Sequence, residues 1–366
     1  VNRRLTAALL PVALTAAYLQ AEAKELPVKK IVIVGNRWTK KEFILREILL
    51  KVGQPFSQKL LKESVRNLLN THLFYKVEAK TIREKGGVVV VIKVKEKFPI
   101  VPLPRFRLKT DGSYKAGLEL RDYNLFGMGH KLFLGFTKWF NSKDESENQF
   151  VKLNLYRTVK GKGNLSLGFF RSSQNYELIK EQKKVGETRK TTLTVPAGLL
   201  YYLDPTKVHK LKLGVTAVRE LYEEGLNDRS FYYLNLGYQV DRTTDMVYYT
   251  LGRSDRLNLS VSAPSLSYAF TGAVTARHYE SYRLKGTTTV NWCLSAGSKF
   301  GYSGEGLYLK APIEGYEGER VSVKRYLIGC LNYRRPVVDR SVYLSPTVYG
   351  GEAFNDRLQS PLLSVG

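Results

Sequence analysis

The chain has 366 residues, 43% hydrophobic and 12% aromatic, and a formal charge of +25. That is too apolar for disorder throughout, and a mean hydropathy of −0.26 excludes a bundle of membrane helices. Two cysteines, Cys293 and Cys330, exclude a disulfide-rich scaffold and a cysteine-based zinc module; two small apolar side chains is the preferred reading, with a single bridge open to them in an oxidising compartment.

The positive charge is spread along the chain. Residues 24–98 carry 18 Lys+Arg against 7 Asp+Glu, and residues 99–366 carry 38 against 25. An excess in both halves argues against one dedicated nucleic-acid patch.

Residues 1–23 have the three-part layout of a secretory signal. Arg3 and Arg4 precede the apolar run Leu5 to Leu19, and Ala21 and Ala23 supply small residues for cleavage. A chain exported in this way has left the cytoplasm, so nucleic acid is not an expected partner.

Residues 24–98 read as β-α-α-β-β. Val28 to Val34 is a strand closed by Gly35-Asn36. Thr39, with Glu42 three residues later, has the spacing of a capping box for a helix carrying Ile44, Ile48, Leu45 and Leu49. Ser57 caps a second helix with Leu60, Leu61, Val65, Leu68 and Leu69 along one stripe. Tyr75 to Glu84 and Val88 to Lys95 form a hairpin about Lys85-Gly86-Gly87.

This order resembles a POTRA domain, the polypeptide-transport-associated module. Ile31 to Asn36, Leu68 to Val77 and Val88 to Val94 carry the resemblance. The exposed edge of such a sheet can add an extended client strand through main-chain bonds. The residues expected to do so are Val28, Ile31, Val32, Ile33 and Val34.

From residue 99 the helical period disappears. Tyr114, Ala116, Leu118 and Leu120 alternate with Lys115, Gly117, Glu119 and Arg121, and Leu211, Leu213 and Val215 alternate with Lys212, Gly214 and Thr216. Thirteen such segments can be counted, each about the ~9–11 residues that a tilted membrane strand needs. Of the 24 tyrosines, 22 lie here, which suits an interfacial aromatic girdle. The expected fold is mainly β: a transmembrane antiparallel β-barrel over residues 99–366 after one α+β domain. An odd count does not close such a barrel, so either one segment is missed or the barrel is C-terminally truncated. The second reading is preferred.

Gly117 to Leu132, with Asp122, Asn124, Gly127 and Gly129, is similar to the barrel opening of the BamA/TamA family of outer-membrane assembly proteins. Asp241-Arg242-Thr243-Thr244-Asp245 followed by Gly252 is similar to a second motif of that family. The resemblance implies a tight periplasmic turn at Gly127 and Gly129. It also implies a lateral seam along the first barrel strand, with Tyr114, Leu118 and Leu120, and a loop folded into the lumen. The stretch matching the loop motif is Ile313-Glu314-Gly315-Tyr316, with glutamate where the family has arginine, so that Glu314 would pair with a lumenal Lys or Arg.

No catalytic residue, cofactor or metal site is indicated. His72, His130, His209 and His278 are far apart, and Gly301 to Gly306 is out of register for a nucleophile elbow. The expected function is to insert, assemble or translocate other polypeptides at the outer membrane, with the POTRA domain in the periplasm. Expected partners are unfolded outer-membrane or secreted polypeptides, outer-membrane lipid, and periplasmic chaperones or accessory subunits. A dedicated secretion pore of the same architecture and a soluble secreted basic β-rich binding protein are the alternatives.

Overall fold

The computed structural model describes residues 26–108, 112–140, 146–159, 162–180, 183–246, 249–301, 309–310, 322–338, 342–354 and 362–365. The leader and Ile313 to Tyr316 lie outside the described residues.

The first module contains β1 (Val28–Val34), α1 (Lys41–Glu47), α2 (Gln58–Leu69), β2 (Phe74–Glu84) and β3 (Gly87–Glu96). Its strand order is β1-β3-β2, with β1 parallel and β2 antiparallel to β3. The helices cover one face. Phe43, Ile44, Leu61, Leu68, Val90 and Ile92 form its dry core. Ser57 caps α2 as its position suggests, accepting from the Leu60 amide at 3.4 Å. Thr39 does not cap α1. The N-cap is Lys40, which makes no side-chain cap bond. Thr39 is drawn into longer-range bonds: its amide donates to Glu96 at 2.8 Å and its hydroxyl accepts from Asn124. α1 stops at Glu47, and Ile48 is already extended.

The second module is one antiparallel sheet. Its strands are β4 (Ile100–Leu108), β5 (Tyr114–Leu125), β6 (His130–Phe140), β7 (Glu147–Val159), β8 (Gly163–Lys180), β9 (Lys183–Tyr202) and β10 (His209–Tyr222). They continue with β11 (Arg229–Asp241), β12 (Thr250–Ser262), β13 (Thr271–Arg283), β14 (Thr289–Gly301), β15 (Arg325–Val338), β16 (Thr347–Phe354) and β17 (Leu362–Val365). Each strand pairs with its sequence neighbours from β4 at one end to β17 at the other.

Among the residues whose side chains are described, those of the strands alternate between two environments. Leu118, Leu120, Phe136, Leu167, Val215 and Leu234 lie on the outer face and stay exposed. Glu119, Thr137, Asn235 and Gln239 lie on the inner face. Leucines on the outside of a sheet with polar groups within is the pattern lipid demands. Tyr232, Tyr238 and Tyr282 are outward and exposed toward the strand ends.

β4 is the segment that alternation alone does not reveal, because Pro102 and Pro104 interrupt it. β4 pairs with β5 from Ile100 opposite Asp122 to Leu108 opposite Tyr114. The amide of Tyr123 donates to the Pro99 carbonyl at 2.9 Å. Odd-numbered residues of β4 therefore turn their main-chain groups toward β5, and even-numbered ones turn away. The two prolines sit where a missing N–H costs the ladder nothing, which marks an edge strand.

This relocates the edge. β5 is paired on both sides, by β4 and by β6. Tyr114, Leu118 and Leu120, expected along a lateral seam of the first barrel strand, thus lie on a strand with a partner on each side. Among the described residues the sheet ends at β4 on one side and at β17 on the other, so the strand before β5 that exposes main-chain groups is β4. The cysteine reading also changes. Cys293 on β14 stands directly opposite Cys330 on β15, and the two are joined, with Cα atoms 5.0 Å apart.

Candidate functional site at the junction of the two modules

The short turns β5–β6, β7–β8, β9–β10 and β11–β12 fall at one end of the sheet, and the first module makes contact there. The two motifs that resemble an outer-membrane assembly family form much of this contact.

The first motif is the β5–β6 turn. Asn124 donates to the Thr39 hydroxyl at 2.9 Å and accepts from the Gly129 amide at 2.8 Å. The Asp122 carboxylate holds the Asn124 amide at 2.8 Å. The Lys40 amide donates to the Gly127 carbonyl at 3.0 Å. Gly127 and Gly129 have φ of +71° and +69°, and a Cβ on Gly129 would stand 2.4 Å from the Phe43 ring. Only glycine lets this turn lie flat against α1. Tyr123 and Met128 complete the packing against the core of the first module.

The second motif is the β11–β12 turn. The Asp241 carboxylate accepts from the Thr243 hydroxyl at 2.6 Å. The Asn70 amide donates to the Thr243 carbonyl at 2.9 Å and its oxygen accepts from the Asp245 amide at 2.8 Å. His72, itself at φ +63°, places Nδ1 2.5 Å from the Asp245 carboxylate.

Between the motifs lies a buried cluster with no sequence signal. The Glu47 side chain is fully buried and pairs with Lys207 of the β9–β10 turn. Tyr156 brings its hydroxyl to 3.3 Å from Glu47 and its ring to 5.6 Å from that of Phe43. Arg66 donates to the Thr206 carbonyl on the same turn. That turn is braced by Asp204, which accepts from the amides of Val208 at 3.1 Å and His209 at 2.6 Å. Burial would raise the Asp204 carboxyl, but these bonds and one from the Thr206 hydroxyl outweigh it and hold the group below the usual range. A buried pair such as Glu47 and Lys207 adds little net stability over an apolar pair of the same size.

The residues singled out for client binding fall in two places. Val28, Ile31, Val32, Ile33 and Val34 lie on β1, which has a strand partner on one side only. Its start is covered by the 53–56 segment, through bonds from Val28 to Gln54 and from Gly53 to Val28, each 2.8 Å. The structure does not bring β1 together with Tyr114, Leu118 and Leu120. Chemically the junction is a clamp, and among the described residues no cluster of His, Cys, Asp or Glu is placed to hold a metal.

Comparison with known proteins agrees with this division. Residues 26–97 match the POTRA family, described as surface antigen variable number repeat. A putative outer membrane protein assembly factor of Treponema pallidum (strain Nichols) is 36% identical over 125 residues, which is 32% of this chain and 15% of that protein. The match thus spans a small part of that relative's length. BamA from Haemophilus ducreyi lacking POTRA domains 1-3 superposes with a TM-score of 0.52 at 16% identity, over 90% of this chain and 72% of that one. CdiB from Escherichia coli gives 0.60 at 13% identity, over 93% and 69%. CdiB from Acinetobacter baumannii gives 0.59 at 12% identity, over 91% and 68%. Residues 26–97 are a POTRA domain, and the sheet that follows has the fold of the BamA and CdiB structures.

Proposed function

We propose that this chain inserts or translocates other polypeptides at the outer membrane, with its POTRA domain in the periplasm. The observation that carries the reading is a POTRA domain clamped onto the turns at one end of a sheet that is apolar outside and polar within. The chemistry is not covalent. An extended client adds to the free side of β1 through main-chain bonds, largely blind to sequence. Unfolded outer-membrane or secreted polypeptides are the clients, and chaperones or accessory subunits supply them.

The seam belongs at β4 rather than β5. Its free side offers the carbonyls of Ile100, Pro102, Pro104, Phe106 and Leu108, but two of those residues have no N–H to give. A strand added there accepts fewer bonds than it donates. Such a half-matched ladder releases more readily than a complete one.

The test uses the full chain in phospholipid vesicles with an unrelated unfolded barrel. Folding of that client should accelerate, and a photo-crosslinker at Phe106 should capture it while one at Leu118 does not. Unchanged client folding sinks the assembly reading. A large steady conductance in planar bilayers, opened by one client alone, selects the secretion pore instead. Release of the protein from membranes by carbonate washing sinks both and returns the soluble binding protein.

A further inference from the structure

Alternation lets the inner face be followed strand by strand. Among the described residues, the acids that the strands turn inward are Glu119, Glu220 and Asp241. Each already has a cation: Glu119 has Arg105 and Arg121, Glu220 has Lys190, and Asp241 has Lys210. The inward cations outnumber them, so part of the +25 charge is concentrated on the inner face.

One row stands out. Lys210, Gln239, Arg256 and Arg277 occupy adjacent positions on β10, β11, β12 and β13, and Arg256 is directly opposite Arg277. Like charges at opposed positions repel. Among the described residues neither guanidinium has an ion-pair partner, whereas Lys210 has Asp241 at 2.6 Å. Both arginines line a cavity of about 380 Å³ whose wall also includes Asn70 and His72 of the POTRA α2–β2 turn. The two acids of that cavity are engaged, Asp241 by Lys210 and Thr243, and Asp245 by His72. The cavity thus joins the POTRA surface to the inner face and presents two unmatched guanidiniums.

We propose that Arg256 and Arg277 receive the carboxylates of an acidic stretch of the client as it passes from the POTRA domain to the sheet. This rests on the reading that the chain handles polypeptides at the outer membrane. A guanidinium takes a carboxylate through two parallel hydrogen bonds. A cleft lined by one sign of charge concentrates the opposite sign within it. Each exposed contact is weak, so recognition comes from several carboxylates on one segment, and it fades as salt is raised.

The experiment uses the full chain in zwitterionic vesicles, with heat-dependent gel mobility confirming that every variant is folded. The probes are fluorescent peptides of Glu-Ser and of Gln-Ser repeats. The parent protein should bind the Glu-Ser peptide at least about tenfold more tightly, a difference of ~1.4 kcal/mol. R256Q/R277Q should abolish that preference, R256K/R277K should keep part of it, and Lys138→Gln on the outer face should leave it unchanged. Equal binding of the two peptides overturns the proposal, as does full retention of the preference in R256Q/R277Q. Competition by inorganic phosphate at the peptide's own concentration overturns it in favour of a small-anion site. If the parent binds neither peptide and deletion of residues 302–321, with Glu305, Glu314, Glu317 and Glu319, creates binding, the occupant is the chain's own segment and the proposal falls. Loss of client folding with Glu-Ser binding intact sinks the functional reading but not this site, and the reverse sinks only the site.

Discussion

The side-chain amide of Asn124 donates to the hydroxyl of Thr39 at 2.9 Å, and its oxygen takes the Gly129 amide at 2.8 Å. One side chain therefore both shapes the β5–β6 turn and fastens that turn to the POTRA domain. All three groups are buried. Asn124→Ala leaves the Gly129 N–H and the Thr39 hydroxyl without this partner in a dry contact, at a cost of about 1–3 kcal/mol. Hydrogen exchange at the Lys40 amide, which bonds Gly127, should speed up correspondingly. Asn124→Asp keeps the acceptor and loses the donor, so it should fall between the two. Unchanged exchange at Lys40 in Asn124→Ala would show that the turn holds without this bridge.

A second prediction concerns Glu47 and Lys207. Removing one partner of a buried pair costs roughly 3–5 kcal/mol, because the other charge stays buried alone, whereas replacing both with apolar groups is close to neutral. Glu47→Ala should therefore loosen the POTRA domain severely, while Glu47→Leu combined with Lys207→Met restores most of the loss. The measurement is the heat-induced loss of POTRA helix signal in the reconstituted chain. Additive effects in the double variant would mean that the two side chains act independently. Tyr156, which touches both, keeps the expected recovery below complete.

The sequence foretold what neighbours decide. Ser57 caps α2 because its acceptor serves an amide three residues on, and the β2–β3 hairpin forms about Lys85-Gly86 because those residues sit beside each other. Thr39 has the same local signature as Ser57, yet its partners Glu96 and Asn124 lie 57 and 85 residues away. No spacing rule could assign them. β4 escaped because prolines break alternation, although proline is what an edge strand tolerates. The two motifs were visible as text, but their use as a clamp was not, since Asn70 and His72 reach the second from 173 residues away. Glu47 and Lys207 are separated by 160 residues and become partners only once the sheet's turns are gathered at one end.

Acid should open this clamp through Asp204. Burial would raise its carboxyl, but hydrogen bonds from Thr206, His209 and Val208 prevail and lower it. A depressed folded value means that the stabilisation is fully present above the unfolded value, about 3.9, and is lost as pH falls through the folded value. The β9–β10 turn carries Thr206 and Lys207, the partners of Arg66 and Glu47. Protease sensitivity at the junction should therefore rise on acidification below about pH 4. Asp204→Asn should show the weaker turn already at neutral pH, with a shallower acid response. An acid profile identical in parent and variant would assign the opening to other carboxylates.

The Cys293–Cys330 bridge makes a separate prediction about the sheet. The two residues are a directly opposed pair on β14 and β15, on the inner face, 37 apart in sequence. Cross-linking a loop of that length removes roughly 4 kcal/mol of chain entropy from the unfolded state in the loop-closure picture. The crossing lies where the ladder already pairs the strands, so the bridge guards register more than it creates it. Export would place both thiols in an oxidising compartment. Reductant should lower the temperature at which the folded band converts to the unfolded one on gels. Cys293→Ala with Cys330→Ala should show the lower temperature from the start and no response to reductant. If freed thiols can be labelled while the transition stays in place, the ladder alone holds β14 to β15, and the bridge contributes nothing to the stability of the sheet.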